Sequence, residues 1–324
     1  MKTIYTVCLI ALLGLMIMVI PAAATTWDVY ESDSIQAAID GASDGDTVFV
    51  HAGTYSENII INKPNIRLKG EGTDVVTLHG AEEGNIIFIY GEPSDASGCI
   101  VEGFNFNDTP LGCGVTVYST APNCIVRNNI FDGLYCAIET IASNTTFENN
   151  GVLNAQRDIC AVYIMGSSCT IVNNTIKGSV GAAISLDGFE HTCENNIVTK
   201  NNLSSNVYAG IELYDAGSGN KIYLNNVVDN GVTATTTWST APDVTYWNST
   251  EPIEYTYGGA IHTDYLGNYW GSDYTGSDGD GDGIGTPPYT VPDGLGEDPR
   301  PLMSGFENYP ESQTPTPFLI SGSV

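Results

Sequence analysis

Asn128-Asn129-Ile130-Phe131 is the first of five similar stretches that decide the fold of this chain. Each has two asparagines, one further residue and an apolar residue, and the others are Asn149-Asn150-Gly151-Val152, Asn173-Asn174-Thr175-Ile176, Asn195-Asn196-Ile197-Val198 and Asn225-Asn226-Val227-Val228. The second asparagines are 21, 24, 22 and 30 residues apart. Such a repeat is typical of a solenoid, in which each repeat buries its apolar face by stacking on its neighbours.

The repeats have the periodicity of strands, because apolar residues alternate within them. A second short strand recurs at a similar offset in each repeat, at Val115-Thr116-Val117, Ile138-Glu139-Thr140, Val162-Tyr163-Ile164, Ile184-Ser185-Leu186 and Ile211-Glu212-Leu213. Short strands in every coil predict an all-β parallel β-helix, in which equivalent residues of successive coils stack ~4.8 Å apart.

The paired asparagines are predicted to form a hydrogen-bonded ladder. A bend at the second asparagine suits its tolerance of left-handed backbone, and its amide can donate to one coil and accept from another. One column is expected to contain Asn129, Asn150, Asn174, Asn196 and Asn226. Phe104 takes that place in the preceding coil, so the ladder is expected to start at Asn129.

Charge and targeting features indicate an exported protein. Residues 1–24 form a predicted signal peptide, with Lys2 before a long apolar run and small residues at its end. No second apolar run follows, so no transmembrane segment is expected after cleavage. The net charge of −28, with only 10 Lys and Arg, excludes a nucleic-acid partner. Glycosylation sequons begin at Asn107, Asn144, Asn173, Asn202 and Asn248.

The cysteines follow the coil period. Cys113, Cys136 and Cys160 form one column, and Cys99, Cys124 and Cys169 form another. Both columns are predicted to face the core, because a buried cysteine behaves as a small apolar residue. Export permits disulfides, although stacked Cβ atoms ~4.8 Å apart lie slightly outside the usual bridging range. Bridging is therefore left open, and the spacing matches no common metal motif.

Residues 25–303 are expected to form one β-helix domain. Its predicted parts are an N-terminal cap at 25–80 with a short capping helix at Ser34–Ile39, ladder coils at 81–231, an inserted loop at 232–257, and a last coil with an acidic loop at 258–303. The β-helix is expected to resume at Ala260-Ile261-His262-Thr263 and to end with Asn268-Tyr269-Trp270. The Pro, Ser and Thr content of 304–324 predicts a disordered tail.

Three parts of the chain carry a resemblance to known β-helix proteins. The segment from Ile35 to Asn58 resembles the N-terminal cap of pectin-lyase-like right-handed β-helices. The repeats resemble the NosD-type, carbohydrate-binding-and-hydrolase family, and residues 265–285 are similar to the tails of its secreted archaeal members. The resemblance implies a right-handed β-helix at the cell surface. It leaves the activity open, since such families include surface proteins, a copper-enzyme maturation factor and sugar-active relatives.

The tail contains the strongest metal signal. Asp278, Asp280 and Asp282 alternate with glycines, and such carboxylates can wrap a Ca²⁺ ion, with Asp273 as a further ligand. Thr286 stands where the tails of the resembling proteins carry an acid, which weakens the expected site. The alternative is a solvated acidic turn. No organic cofactor is expected.

A stripe of polar side chains is expected on one outer strand face. Outward positions in successive coils are Thr116, Glu139, Tyr163, Ser185, Glu212 and His262, followed two residues further along by Tyr118, Ile141, Met165, Asp187, Tyr214 and Asp264. Acids and tyrosines together suit a glycan, and the predicted glycan contacts are Glu139, Tyr163, Asp187, Glu212, Tyr214, His262 and Asp264. The alternative is an ordinary solvated strand face. Asp187 and Glu212 are expected ~8 Å apart, which suits an inverting glycosidase pair.

These features favour a secreted, non-catalytic surface protein that binds a polysaccharide or packs against an envelope glycan or protein. An inverting glycoside hydrolase is the alternative, with Asp187 and Glu212 as its candidate catalytic residues. A periplasmic copper-maturation role has less support, because His51, His79, His191 and His262 are scattered and soft metals need clustered donors. The oligomeric state is left open.

Overall fold

The computed structural model describes residues 23–81, 84–92, 95–107, 111–236 and 245–311. They form a parallel β-solenoid whose three long sheets contain ten, eight and eight strands. Neighbouring strands of each sheet belong to successive coils, and one coil supplies a strand to each sheet in turn. The predicted all-β parallel solenoid is confirmed.

The strands are short, and most contain three to six residues. Sheet 1 contains Thr26–Val29, Thr47–Val50, Arg67–Gly70, Ile100–Glu102, Ile125–Arg127, Thr146–Glu148, Thr170–Val172, Ile197–Thr199, Asn220–Tyr223 and Thr245–Tyr246. Sheet 2 contains Gly53–Ser56, Val76–His79, Asn105–Asn107, Ile130–Asp132, Gly151–Leu153, Thr175–Lys177, Asn202–Ser204 and Asn226–Val228. Sheet 3 contains Ile59–Ile61, Ile87–Ile89, Cys113–Val117, Cys136–Thr140, Cys160–Ile164, Ala182–Asp187, Ala209–Tyr214 and Val232–Thr235.

The remaining elements lie at the two ends of the solenoid. Helix α1, Ile35–Gly41, begins at Ser34, whose hydroxyl accepts the N–H of Ala37 at 3.2 Å. Its side chains Ile35 and Ile39 are buried in the main core, as expected of a short amphipathic helix. At the other end are antiparallel pairs Ile253–Tyr257 with Ala260–Asp264 and Tyr289–Thr290 with Glu297–Asp298, and 3₁₀ turns Gly271–Asp273, Pro292–Gly294 and Phe306–Asn308.

The core is a set of apolar columns running through the coils. One column in sheet 1 contains fully buried side chains held in register, Val126, Phe147, Ile171, Val198 and Ile222. In sheet 2, the ring of Phe131 stacks on that of Phe106 with centroids 4.6 Å apart. Each coil therefore buries its apolar side chains mainly against the coils on either side.

An asparagine ladder runs beside this core. In each coil the backbone N–H of the ladder asparagine donates to Oδ1 of the next at 2.9–3.1 Å, through Asn129, Asn150, Asn174, Asn201, Asn225 and Asn268. Each side-chain Nδ2 also donates to a carbonyl of the previous coil, as from Asn150 to Val126 at 2.9 Å. The ladder starts at Asn129, whose Oδ1 accepts the N–H of Phe104 at 3.1 Å.

The predictions for Asn196 and Asn226 were wrong. Asn196 belongs to a second, shorter ladder, in which its N–H donates to Oδ1 of Asn220 at 2.9 Å. Asn226 lies in a sheet-2 strand, and its Nδ2 donates to Glu307 at 3.0 Å. The pair at Asn195 precedes a sheet-1 strand, whereas the pairs that do join the ladder follow one. Spacing alone cannot distinguish these two corners of the coil.

The left-handed residue of each bend is also different from the prediction. The residues before Asn129, Asn150 and Asn174 have φ of 53–56°, and the ladder asparagines themselves are not among the residues with positive φ. Lys200 and Leu224 occupy this bend before the ladder residues Asn201 and Asn225. The bend therefore requires a residue with left-handed backbone, and that residue can be one other than asparagine.

Residues 232–257 are only partly a loop. Val232–Thr235 joins sheet 3 and Thr245–Tyr246 joins sheet 1, while residues 237–244 lie outside the described part of the chain. Ala260–Asp264 forms an antiparallel hairpin and does not resume the β-helix. Gly258 and Gly259, with φ of 58° and 86°, make the two-residue turn that such a hairpin requires.

The chain after residue 303 is partly ordered, which corrects the tail prediction. Tyr309 is buried, and the N–H of Phe306 donates to Oδ1 of Asn226 at 2.9 Å. Residues 312–324, like 1–22 of the predicted signal peptide, lie outside the described residues. Within the described part, no helix has the length and apolar character needed to cross a membrane.

Candidate functional site

Strand register places the polar stripe on sheet 3. The aligned residues are Thr116, Glu139, Tyr163, Ser185, Glu212 and Thr235. Asp187 aligns with Tyr214 two residues further along, so Asp187 and Glu212 lie in adjacent coils. Five of the seven residues predicted to contact a glycan therefore share this face.

His262 and Asp264 are not part of the stripe, because they belong to the C-terminal hairpin. The imidazole of His262 stacks on Tyr255 with ring centroids 5.4 Å apart. The carboxylate of Asp264 pairs with the guanidinium of Arg300 at 3.5 Å. The alternating pattern of residues 260–264 is the same in a coil strand and in a hairpin strand, which is why the sequence misplaced both residues.

A cleft of about 470 Å³ opens on the stripe. Its lining combines acids, aromatic rings, a serine and an isoleucine, namely Asp158, Ile159, Tyr163, Ser185, Asp187, Phe189, Tyr208, Glu212 and Tyr214. A smaller cavity of about 110 Å³ adjoins it, shares Tyr163, Asp187 and Phe189, and continues to His191. Glu139 lies one coil away from the cleft lining, beside Tyr163.

The carboxylate of Asp187 is held in place by two donors. The hydroxyl of Tyr163 donates to its Oδ2, and the N–H of Phe189 donates to its Oδ1 at 2.8 Å. Burial, and then the hydrogen bond to Asp187, raises the pKa of Tyr163, so its phenol stays protonated as a donor. Both oxygens of Asp187 therefore act as acceptors in a fixed orientation.

Arg157 supports this arrangement from the edge of the cleft. Its guanidinium lies over the ring of Tyr163, 4.7 Å from the centroid, and its Nη1 donates to Oε2 of Glu139 at 3.2 Å. Such a cation–π contact restrains the ring. Arg157 thus links Glu139 to the residues that line the cleft.

Ser185 has an unpartnered hydroxyl at the floor of the cleft. Its side chain is 1% exposed, and its Oγ has no hydrogen-bond partner in the structure. A buried hydroxyl without a partner costs about 1–3 kcal/mol. It lies between Tyr163 and Glu212 in the strand register, so a ligand hydroxyl that reached the floor would meet it.

One exposed ring stands beside the cleft. Phe189 is 63% exposed, and its ring lies 5.8 Å from that of Tyr214. An exposed aromatic side chain beside fixed polar acceptors is a common feature of ligand sites. Phe189 was missed from the sequence because it follows the strand instead of lying in it, although its place two residues after Asp187 could have indicated it.

The two cysteine columns face different directions. Cys99, Cys124 and Cys169 belong to the main core, as predicted. In the other column, Cys160 forms a separate cluster with Ala182 and Ala209 against the rings of Tyr163 and Tyr208. The prediction that this second column faces the core was wrong, because the following residue, such as Ala161, fills the core position instead.

The acidic loop brings three carboxylates together. Oxygens of Asp278, Asp280 and Asp282 lie within 4.8 Å of one another, and Asp273 lies outside this group in a 3₁₀ turn. Asp278 accepts the N–H groups of Gly281 and Gly283 at 2.7 and 2.9 Å. Burial, and then the charges of Asp280 and Asp278, raises the pKa of Asp282. Calcium binding by this loop stays a prediction.

Comparisons with known proteins identify a family and a relative by sequence. The family model described as NosD, periplasmic copper-binding protein, matches residues 39–276. A cell surface glycoprotein from Methanothermus fervidus is 29% identical over 205 residues, which cover 61% of this chain and 34% of that protein. The chain therefore spans about a third of the length of this curated relative.

Solved structures with a partial likeness to this chain include an alginate lyase and a module of a mannuronan C-5 epimerase. An alginate lyase of the PL6 family has a TM-score of 0.48 at 15% identity, over 64% of this chain and 35% of the enzyme. The A-module of a mannuronan C-5 epimerase from Azotobacter vinelandii has a TM-score of 0.37 at 16% identity, over 62% of this chain and 73% of that module.

Proposed function

Since this chain belongs to the NosD family, we propose that it is a non-catalytic β-helix protein of the cell surface that binds a neutral glycan in the cleft on sheet 3. The observation that carries the proposal is the buried, unpartnered hydroxyl of Ser185 at the floor of that cleft. The surface location is supported by the name of the relative, a cell surface glycoprotein.

The cleft offers the groups that a sugar needs. Asp187 and Glu212 can accept hydrogen bonds from sugar hydroxyls, and Ser185 can donate or accept one. The apolar face of a sugar ring can lie on Phe189 or Tyr214. Three acids line the cleft, Asp158, Asp187 and Glu212, and they repel anionic polysaccharides. A neutral glycan is therefore the favoured ligand.

The arrangement of Asp187 favours binding over hydrolysis. A glycosidase general acid must carry a proton that it can give to the leaving oxygen. Both oxygens of Asp187 are already engaged as acceptors, one from the hydroxyl of Tyr163 and the other from the N–H of Phe189, so neither is directed at a leaving oxygen as a donor. This is the reason to rank binding above the alternative, an inverting glycoside hydrolase.

Copper is not part of the proposal. Copper(I) prefers clustered sulfur and imidazole donors. His51 bonds to Asp28, and His262 is stacked on a tyrosine in the C-terminal hairpin. Among the described residues, the one metal-ligating group with two soft donors pairs Cys113 and Cys136 with a carboxylate, Glu139, which is a hard oxygen donor.

A glycan panel tests the proposal. Neutral and acidic polysaccharides are applied to the protein, and binding is measured together with the release of reducing ends. We expect binding of a neutral glycan without release of reducing ends. Phe189→Ala and Glu212→Gln should each weaken binding about tenfold or more, the loss that follows from removing a stacking or charged hydrogen-bonding partner.

The matched control is Glu254→Gln, which removes an exposed acid from the C-terminal hairpin. It should leave binding unchanged. Turnover that disappears in Asp187→Asn would establish the hydrolase instead. Absence of binding to every neutral glycan, or equal loss in the control, would contradict the proposed site.

A further inference from the structure

Two thiols and a carboxylate converge on the outer face of sheet 3. Ligand atoms of Cys113, Cys136 and Glu139 all lie within 4.8 Å of one another. Cys113 and Cys136 are register partners in adjacent strands, and Sγ of Cys113 lies 3.5 Å from Oε2 of Glu139. The cysteine spacing did not predict this group, because its third member is a carboxylate, Glu139, three residues after Cys136.

The backbone turns these thiols away from the core. A Cβ at Gly114 would lie 2.6 Å from the ring of Phe131, so the residue after Cys113 points inward. The residue after Cys136, Ala137, is likewise part of the main core. The thiols therefore lie beneath the outer surface, and the side chain of Glu139, 25% exposed, leaves a path from solvent.

We propose that Cys113, Cys136 and Glu139 bind a zinc(II) ion. Two thiolates and one carboxylate suit this borderline cation, which takes sulfur and oxygen ligands in tetrahedral geometry and often keeps a fourth position for water. Tetrahedral bonds of about 2.3 Å place the two sulfurs ~3.8 Å apart. In the structure the ligand atoms lie within 4.8 Å of one another, so the sulfurs are already close to that separation. Small shifts of the side chains would complete the site.

The charges around the group balance when zinc is bound. Two thiolates and a carboxylate carry −3, zinc(II) carries +2, and the guanidinium of Arg157, 3.2 Å from Glu139, carries +1. Binding breaks two S–H bonds, forms two S–Zn bonds and releases two protons to solvent. No unpaired charge is left in this buried place.

A second observation points to a ligand at the same place. The hydroxyl of Thr116 is buried and has no hydrogen-bond partner. Thr116 aligns with Glu139 in the strand register, so it neighbours the carboxylate ligand on the same face. A water in the fourth zinc position would supply the partner that this hydroxyl lacks.

Cobalt(II) is the probe, because it replaces zinc in tetrahedral sites and has visible absorption bands. The full chain is reduced, freed of metal and titrated with cobalt(II), and zinc(II) is then added. We expect tetrahedral ligand-field bands, a thiolate-to-metal charge-transfer band, one cobalt per chain, and displacement by zinc with release of protons. Calcium should not displace the cobalt, because calcium takes oxygen ligands and this group holds two thiolates. Calcium is expected at the acidic loop, which is a separate group of oxygen ligands.

Variants in the same column provide the controls. Cys113→Ala and Cys136→Ala place alanine where Ala182 and Ala209 already stand in later coils, so the fold should tolerate them. Each should abolish the charge-transfer band or weaken zinc binding by at least ~100-fold, and Glu139→Gln by at least ~10-fold. Cys160→Ala removes a thiol of this column that lies outside the group and should leave both readouts unchanged.

Two results would overturn the assignment. One is a wild-type protein that shows no tetrahedral cobalt spectrum, including the case in which it binds copper(I) and not zinc or cobalt. The other is a loss of the spectrum in Cys160→Ala that equals the loss in Cys113→Ala. Far-ultraviolet circular dichroism of each variant excludes unfolding as the cause of a lost signal.

Discussion

A ladder asparagine satisfies several backbone groups at once. Oδ1 of Asn174 accepts the N–H of Asn150 at 3.0 Å, and its Nδ2 donates to the carbonyl of Phe147 at 2.9 Å and to Oδ1 of Asn201 at 3.0 Å. The asparagines among these residues lie at a corner of the coil, and all of them are buried. An apolar residue there would leave them buried and unpaired.

We therefore predict that Asn174→Ala lowers the free energy of unfolding by about 1–3 kcal/mol, the cost of buried polar groups without partners. The measurement is urea unfolding followed by circular dichroism. Asn202→Ala is the matched control, because Asn202 is an exposed asparagine in a neighbouring strand. Equal losses in the two variants would show that the ladder contributes nothing specific.

Residue identities predicted part of this ladder and not the rest. The sequence placed Asn129, Asn150 and Asn174 in the ladder correctly. Each is the second residue of an asparagine pair that follows a sheet-1 strand. Asn201 follows a lysine at the bend and Asn225 follows a leucine, both with φ near 55°. A leucine rarely adopts this conformation, so the surrounding coils impose it. The local sequence therefore could not show that Lys200 and Leu224 have left-handed backbone at this bend.

Asp298 is a buried carboxylate with an unusual pKa. It accepts hydrogen bonds from the N–H of Asn268 at 2.8 Å, the indole of Trp270 at 2.9 Å and the N–H of Arg300 at 3.0 Å. Burial raises the pKa of Asp298 to about 7, and these donors limit the rise. The folded protein therefore holds a proton at this site at pH values where the unfolded chain has lost it.

This difference predicts a pH dependence of stability. The contribution of neutral Asp298 is fully present below the unfolded pKa of 3.8 and is lost as the pH rises through about 7. It is at most a few kcal/mol, since each pKa unit corresponds to about 1.4 kcal/mol. Unfolding free energies at about pH 5 and about pH 8 measure it.

Asp298→Asn should remove this part of the pH slope, whatever its effect on stability at one pH. Glu297→Gln, the exposed neighbour, should leave the slope unchanged. A wild-type slope that survives in Asp298→Asn would assign the pH dependence to another group.

In the acidic loop, hydrogen bonds order the backbone, while repulsion between carboxylates opposes that order. Hydrogen bonds from Gly281 and Gly283 to Asp278 curl the backbone, and the hydroxyl of Tyr255 holds the carbonyl of Asp282 at 2.9 Å. The three carboxylates nevertheless repel one another. A divalent cation would offset this repulsion and stabilise the folded state.

We predict that millimolar calcium raises the melting temperature and that a chelator lowers it. The expected affinity is on the order of 10⁻⁴–10⁻³ M, as in weak extracellular calcium sites. The double variant Asp280→Asn and Asp282→Asn should remove the effect. Asp273→Asn should preserve it, because Asp273 lies outside the group. An unchanged wild-type melting curve at about ten millimolar calcium, ten times that upper limit, would leave a solvated acidic turn.

At the scale of elements, the repeats were predictable and the C-terminal end was not. Strands of sheet 3 recur with the coil period, so Ile138, Val162 and Ile184 could be aligned from the sequence. The hairpin that contains His262 has the same alternation of residues. Only the turn at Gly258 and Gly259 distinguished it, and the glycan contacts expected of His262 and Asp264 failed with it.

At the scale of the whole molecule, the excess of acidic residues causes electrostatic self-repulsion. The chain has 38 acids and 10 Lys and Arg, so at least 28 acids have no basic residue of their own, since 38 − 10 = 28. Some pairs are well placed, as where Glu102 lies between Arg67 and Arg127. They cannot offset the remaining negative charge.

Salt should therefore stabilise this protein. Net charge far from zero destabilises a compact state by self-repulsion, and raising the salt from about 0.01 M to about 0.5 M shortens the Debye length from about 30 Å to well below 10 Å. We expect the melting temperature to rise over this range in NaCl and equally in KCl, measured with a chelator present so that calcium does not contribute. Glycan affinity should stay constant over the same range, because a neutral ligand gains nothing from screening. A melting temperature that falls with salt would mean that the ion pairs, and not the net charge of −28, dominate the electrostatics of the fold.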